Sequence, residues 1–190
     1  MASVSLLAGV QTMRTLALTI TLSLVVFVSA AEVESRVLTT YVPQDFLETA
    51  VRSEKWTELV LNVKGGLRKG DTVRLWCGGS IDRGNGDEPG ENVNGPEGVA
   101  DLKDTKLPWA LSTEPGHGYA LLFKTETGGV KKALAAGKPL EIKLTKDGEK
   151  VWIGFNDEKG RYQDNHLGKG KRHEHDPLWV RVEVVRTIVD

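Results

Sequence analysis

The tightest constraint on this chain is the spacing of its apolar residues, which beyond residue 31 recur at every second position in short runs broken off by Gly, Asn, Asp or Pro. In the last run Leu178, Val180, Val182 and Val184 fall on one side, with Arg181 and Glu183 on the other. That is the two-residue period of a strand with one face in a core and one in water. Val151, Ile153 and Phe155 make the matching row in the run before it. No segment after the N-terminal leader carries a long helical period. The pattern predicts an all-β fold with strands over 57–63, 71–77, 119–124, 140–144, 151–155 and 178–185. Lys69-Gly70-Asp71 and Lys146-Asp147-Gly148-Glu149 supply turn signals between them. Two segments stay open. Tyr41 to Ser53 fits a strand edge or one short helix, and the glycine- and charge-rich span from Gly78 to Pro108 fits a long functional loop or a plain surface excursion.

Residues 1–31 carry a single charge, Arg14, ahead of an apolar and hydroxyl run from Thr15 to Val28 and then Ser29-Ala30-Ala31. A basic start, a short apolar core and small residues are the parts of a secretory signal peptide. Residues 32–190 are therefore expected to form a single mature domain that is secreted, periplasmic or otherwise extracellular. The run is shorter than the ~20 residues of a spanning helix and no basic stop-transfer cluster follows, so no membrane span is expected after cleavage.

The leader removes one of 25 basic side chains and none of 26 acidic ones, moving the formal charge from −1 to −2. So even a balance argues against nucleic acid or an anionic membrane surface as partner. About 160 residues suffice for one sizeable core. Cys77 is the sole cysteine, which rules out an internal disulfide, and its alternation with Val73 and Leu75 predicts a buried, inert thiol.

The stretch from Gly154 to Gly168 carries the clearest chemistry. An apolar strand runs into a loop bracketed by Asn156-Asp157 and Asp164-Asn165, with Gly160 between them. Those four side chains offer oxygen acceptors suited to a hard cation, and glycine lets backbone carbonyls turn inward. Asn, Asp and Gly also crowd into ordinary hairpin turns, so the loop alone leaves both a calcium site and a plain turn open.

Several pieces recur in order: Lys69-Gly70-Asp71-Thr72-Val73 leading to Gly78-Gly79-Ser80, then Asn94-Gly95-Pro96-Glu97-Gly98, then Ala120-Leu121-Leu122-Phe123-Lys124. Phe155-Asn156-Asp157, Asp164-Asn165-His166-Leu167-Gly168 and a valine-rich closing strand complete the series. Over about residues 56–186 this order resembles the galactophilic, calcium-dependent PA-IL-like family of bacterial lectins. The resemblance implies a jelly-roll-like β-sandwich of the galactose-binding-like kind. It also implies a calcium ion held by Asp157, Asp164 and Asn165 with the backbone carbonyls of Arg161 and of a residue near Arg83. Asp164 stands where the family has Asn, which keeps an oxygen ligand and adds negative charge. The implied partner is a carbohydrate whose vicinal hydroxyls the ion accepts, beside Asp157 and Asn165; His166, next to them in the sequence, fits either a ligand contact or a side chain facing water. The family's sugar-reading His and Gln have no counterpart in Val99-Ala100-Asp101-Leu102-Lys103-Asp104.

Other chemistry is thinner. His173 and His175, two apart, would share a face of a strand and suit a transition metal, but no third ligand is placed and Lys169-Gly170-Lys171-Arg172 precedes them. Five tryptophans offer stacking platforms for sugar rings or seals between layers. No Gly-x-Ser-x-Gly elbow and no His-Glu-x-x-His occurs, and the acids Asp82, Asp87, Glu88 and Glu91 read as solvation or as a glycosidase pair of unknown separation. The expectation is a non-enzymatic, calcium-using carbohydrate-binding module. The alternative is a structural or adhesion domain of the cell envelope that binds no sugar.

Overall fold

The alternating runs become two four-stranded antiparallel sheets that share one core. The computed structural model describes residues 33–84, 92–99, 108–167 and 176–188, all within one unit spanning Ala31–Asp190. In chain order the first elements are β1 (Val33–Tyr41), α1 (Gln44–Val51), β2 (Thr57–Glu58), β3 (Thr72–Gly78), β4 (Ile81–Asp82) and β5 (Val93–Asn94). After them come β6 (Leu121–Thr125), β7 (Lys131–Lys132), β8 (Leu140–Lys143), β9 (Val151–Phe155), β10 (His166–Leu167) and β11 (Trp179–Ile188). One sheet runs β1-β11-β3-β8, the other β2-β9-β6-β7, and a small third sheet runs β10-β4-β5. The chain is an all-β sandwich. The leader, residues 1–31, lies outside the described residues, as do Asp87, Glu88, Glu91, His173 and His175.

Register shows why the alternation forces this arrangement. Val180, Val182 and Val184 pair with Cys77, Leu75 and Val73, which lays one continuous apolar row across β11 and β3. Phe123 pairs with Ile153 and Leu121 with Phe155 in the opposing sheet, and both rows enter the same buried cluster. Each such side chain, fully removed from water, contributes about 1.5–3 kcal/mol. Cys77 sits within this cluster, and burial together with the Glu97 charge pushes its thiol up to about 12, which keeps it unreactive.

Between Tyr41 and Ser53 the chain does both things its pattern allowed. β1 ends at Tyr41, Pro43 turns the backbone, and α1 follows with Asp45 in its first turn, where a negative charge suits the helix dipole. Leu47, Ala50 and Val51 form its buried stripe. The predicted strand over 57–63 shortens to Thr57–Glu58. Leu59 and Val63 still point inward, yet beyond Glu58 the run keeps a hydrogen bond from Leu59 to the Val151 carbonyl (2.8 Å) and no ladder.

Two buried carboxylates pin the loops at one end. Asp71 takes a two-pronged pair from Arg186, Nε to Oδ1 at 2.8 Å and Nη2 to Oδ2 at 2.7 Å, tying the end of β11 to the start of β3. Glu149, 1 % exposed, accepts from the Thr127 and Thr145 hydroxyls and from the backbone N–H groups of Thr127, Thr145 and Lys146.

Candidate functional site

β9 delivers Asn156 and Asp157 to the end of the sandwich, and the two neighbours divide the work. The Asn156 oxygen accepts from the N–H groups of Leu111 and Ser112 (3.1 Å each), while its amide donates to the carbonyls of Ser112 and His117 (2.9 Å each). Every hydrogen-bonding position of that side chain is used, so Asn156 clasps the 111–117 loop and offers no oxygen to a cation. Asp157, 2 % exposed, accepts from the Glu158 N–H at 2.7 Å through Oδ1 and from Asn165 Nδ2 at 2.9 Å through Oδ2.

The loop returns through a turn closed by the Arg161 N–H on the Glu158 carbonyl (3.1 Å), with Gly160 at a φ of 82° that other residues rarely adopt. Tyr162 is buried beneath it. Its hydroxyl accepts from the Asp157 N–H at 2.9 Å and donates to the Phe155 carbonyl at 3.0 Å. This brings Asp164 and Asn165 back beside Asp157. Asn165 divides its two amide protons between Asp157 and the Val51 carbonyl, each at 2.9 Å, so the end of α1 holds the loop in place.

Two oxygens are left over. Asp164 Oδ1 and Asn165 Oδ1 are buried and have no hydrogen-bond partner among the described residues. Unpartnered buried oxygens are costly and call for an explanation. Burial raises the Asp157 carboxyl to about 6, and the charges of Asp164 and Glu158 push the same way against the hydrogen bonds from Asn165 and Glu158. A buried carboxylate crowded by a second one, with two idle oxygens alongside, is a donor set that fits a hard divalent cation. Among the described residues no group of three His, Cys, Asp or Glu side chains converges, and the donors gathered here are carboxylate and amide oxygens, which suit hard cations better than soft transition metals.

A cavity of about 400 Å³ opens above this cluster, lined by Arg83, Gly84, Asn92, Tyr119, Asp157, Glu158 and Arg161. The predicted residues Arg83, Asp157 and Arg161 therefore meet at one place. Asp164 lies behind Gly84, whose φ of 64° and missing side chain allow the contact: a Cβ there would stand 2.7 Å from the Asp164 carboxyl carbon. His166 sits apart, exposed on β10 with its ring nitrogen 3.4 Å from Glu48, and is not in the cavity wall.

Tyr119 was not singled out by the sequence. It adopts a φ of 52°, unusual for a bulky residue, at the foot of β6. Its hydroxyl donates to Glu158 Oε1 at 2.9 Å, its ring meets the edge of Trp109 at 5.1 Å, and the Arg83 guanidinium lies 4.0 Å over its face. Burial and the Glu158 hydrogen bond push its phenol up to about 12.

No family model matches the chain, and no curated protein matches it. Among solved structures it is similar to one described as the EclA N-terminal domain, a PllA-like lectin. The two are 15% identical, the match covers 80% of this chain and 98% of that one, and the TM-score is 0.37.

The other sequence candidates take structural places. Trp56 and Trp152 flank the Lys124 ammonium at 4.5 and 5.5 Å, and Trp76 underlies the Arg181 guanidinium at 4.8 Å. Asp82 Oδ1 accepts from the Gly84 N–H at 3.0 Å and shapes the turn after β4. Ser112 Oγ lies 2.9 Å from His117 Nδ1, with Glu114 3.5 Å from the other ring nitrogen. The same hydroxyl accepts from the Glu114 N–H at 3.2 Å, which makes this trio a clasp within one turn. Among the described residues no helix is long and apolar enough to cross a membrane.

Proposed function

We propose that the protein is a non-enzymatic carbohydrate-binding module acting outside the cytoplasm, with calcium held by Asp157, Asp164 and Asn165 and by peptide carbonyls at Arg161 and Arg83. The observation that carries this reading is the pair of idle buried oxygens, Asp164 Oδ1 and Asn165 Oδ1, beside a buried carboxylate at the base of an open polar cavity. Their order in the chain is also that of the calcium-dependent lectins the sequence resembles. Bound there, calcium would supply open coordination positions at which a sugar's vicinal hydroxyls displace water, an exchange that hydrogen bonds to a neutral polyol achieve poorly in water. The protein's own part is to hold the donors still. Asn165 is oriented by Val51 and Asp157, Asp164 is confined by Gly84, and Tyr162 anchors the turn. The sequence departs from the family where its sugar-reading His and Gln stand, so the reading covers hexoses in general.

Calorimetric titration of simple hexoses into the protein, with calcium and then with chelator, tests this. Binding that vanishes with chelator and returns with calcium is expected, and sugar binding indifferent to chelator would refute the mechanism. A second reading, an envelope structural domain, draws on the bond from Asn165 to α1, since a cation there would brace the loop against the helix without any sugar. It predicts that chelator lowers the melting temperature while every sugar leaves the protein unmoved.

A further inference from the structure

We propose that the ligand is an acidic hexose and that Arg83 selects it, its guanidinium pairing with a carboxylate or sulfate on the sugar; this deepens the carbohydrate-binding reading and rests on it. Arg83 is built into the cavity wall. Its Nε donates to the Asn92 carbonyl at 3.1 Å and its flat face covers Tyr119 at 4.0 Å. Tyr119 is itself fixed by Trp109 and Glu158. The stem and one edge of the fork are thus held, and no carboxylate among the described residues forms an ion pair with it.

Charge points the same way. Asp157 and Asp164 together match a divalent cation, and the charged residues left on the cavity wall are Arg83 and Arg161 against Glu158, a formal balance of 2 − 1 = +1, with Arg161 also engaged in another contact. Glu158 receives the Tyr119 hydroxyl. A neutral hexose would bring no charge to Arg83 and would displace its water. An anionic one gives it a charge-assisted, two-pronged partner of the geometry guanidinium prefers.

The test is calorimetric titration of the calcium-loaded protein with galactose, glucose and mannose, with the corresponding uronates, and with sulfated forms of the same hexoses, at constant ionic strength. We expect one acidic series to bind about tenfold or more tightly than its parent sugars, in line with a charge-assisted pair, and the better series identifies the anionic group. Arg83→Gln should remove that margin and Arg83→Lys should keep part of it, with thermal melts confirming that both variants fold. Equal affinity for acidic and parent sugars, or a margin that survives Arg83→Gln, would overturn the assignment while leaving the carbohydrate reading intact. If no sugar of either kind binds, the carbohydrate reading fails and takes this inference with it.

Discussion

The side-chain amide of Asn165 gives one proton to Asp157 Oδ2 and the other to the Val51 carbonyl, both at 2.9 Å. That shared amide couples the helix after β1 to the loop after β9, more than a hundred residues later in the chain, and turns the Asn165 oxygen away from both partners, where it is left idle. Removing it should therefore act on stability and on ion binding together. Asn165→Ala leaves the buried Val51 carbonyl without its donor and strips Asp157 of the bond that helps keep it ionised. A loss of about 2–4 kcal/mol in urea unfolding is expected, the cost of unmade buried hydrogen bonds. Calcium affinity, read by calorimetry, should fall in the same variant.

Gly84 offers a cleaner separation. Gly84→Ala forces a Cβ within 2.7 Å of the Asp164 carboxyl carbon and places Ala at a φ of 64°. The backbone part should cost about 1–2 kcal/mol, the usual penalty for a left-handed residue. Gly148→Ala is the matched control, because its φ is 66° and nothing lies within 4 Å of the new Cβ. Both variants should share the backbone loss in denaturant titrations, with Gly84→Ala losing more because its Cβ also displaces Asp164. Calcium binding should weaken in Gly84→Ala alone, and equal weakening in both would show that Asp164 has no part in it.

Glu149 predicts the acid limit of the fold. Burial works to raise its carboxyl, but the hydrogen bonds it accepts from Thr127 and Thr145 prevail and bring it to about 2, below the ordinary 4.5. The native fold then binds this proton less tightly than the unfolded chain does. Its stabilisation is complete above about pH 4.5 and is lost as pH falls toward 2. Glu149→Gln should be destabilised by about 1.5–3 kcal/mol at neutral pH, the worth of hydrogen bonds to a charged acceptor. Melting curves of variant and parent should converge as the pH approaches 2.

The sandwich was legible where one face is dry and pairing is regular. β9 matches its predicted span, 151–155, and β3 and β11 are displaced only at their ends. β1 escaped notice because a bulge between Arg36 and Leu38 breaks the two-residue period on which such reading depends. Over 59–63 the alternation is real but records burial without pairing, a distinction that hydrophobicity does not carry.

At the site, Asp157, Asp164 and Asn165 were legible as one loop. Asn156 was not separable from its neighbour, since only the 111–117 loop consumes its hydrogen bonds. Tyr119 and Gly84 reach the cavity through tertiary packing and carry no local motif, so nothing in their own neighbourhoods marks them.

Metal removal gives the broadest check. If a divalent cation occupies the gap between Asp157 and Asp164, it offsets the burial and the neighbouring charges that now raise the Asp157 carboxyl and engages two oxygens otherwise buried without partners. Ion binding to the native state adds stability that grows with free calcium, about 2.7 kcal/mol at a hundredfold excess over the dissociation constant. Chelator should thus lower the melting temperature, calcium should restore it in a concentration-dependent way, and Asp164→Asn should need more calcium for the same recovery. A melting temperature indifferent both to chelator and to added calcium would remove the cation from the site and leave the idle oxygens to ordered water.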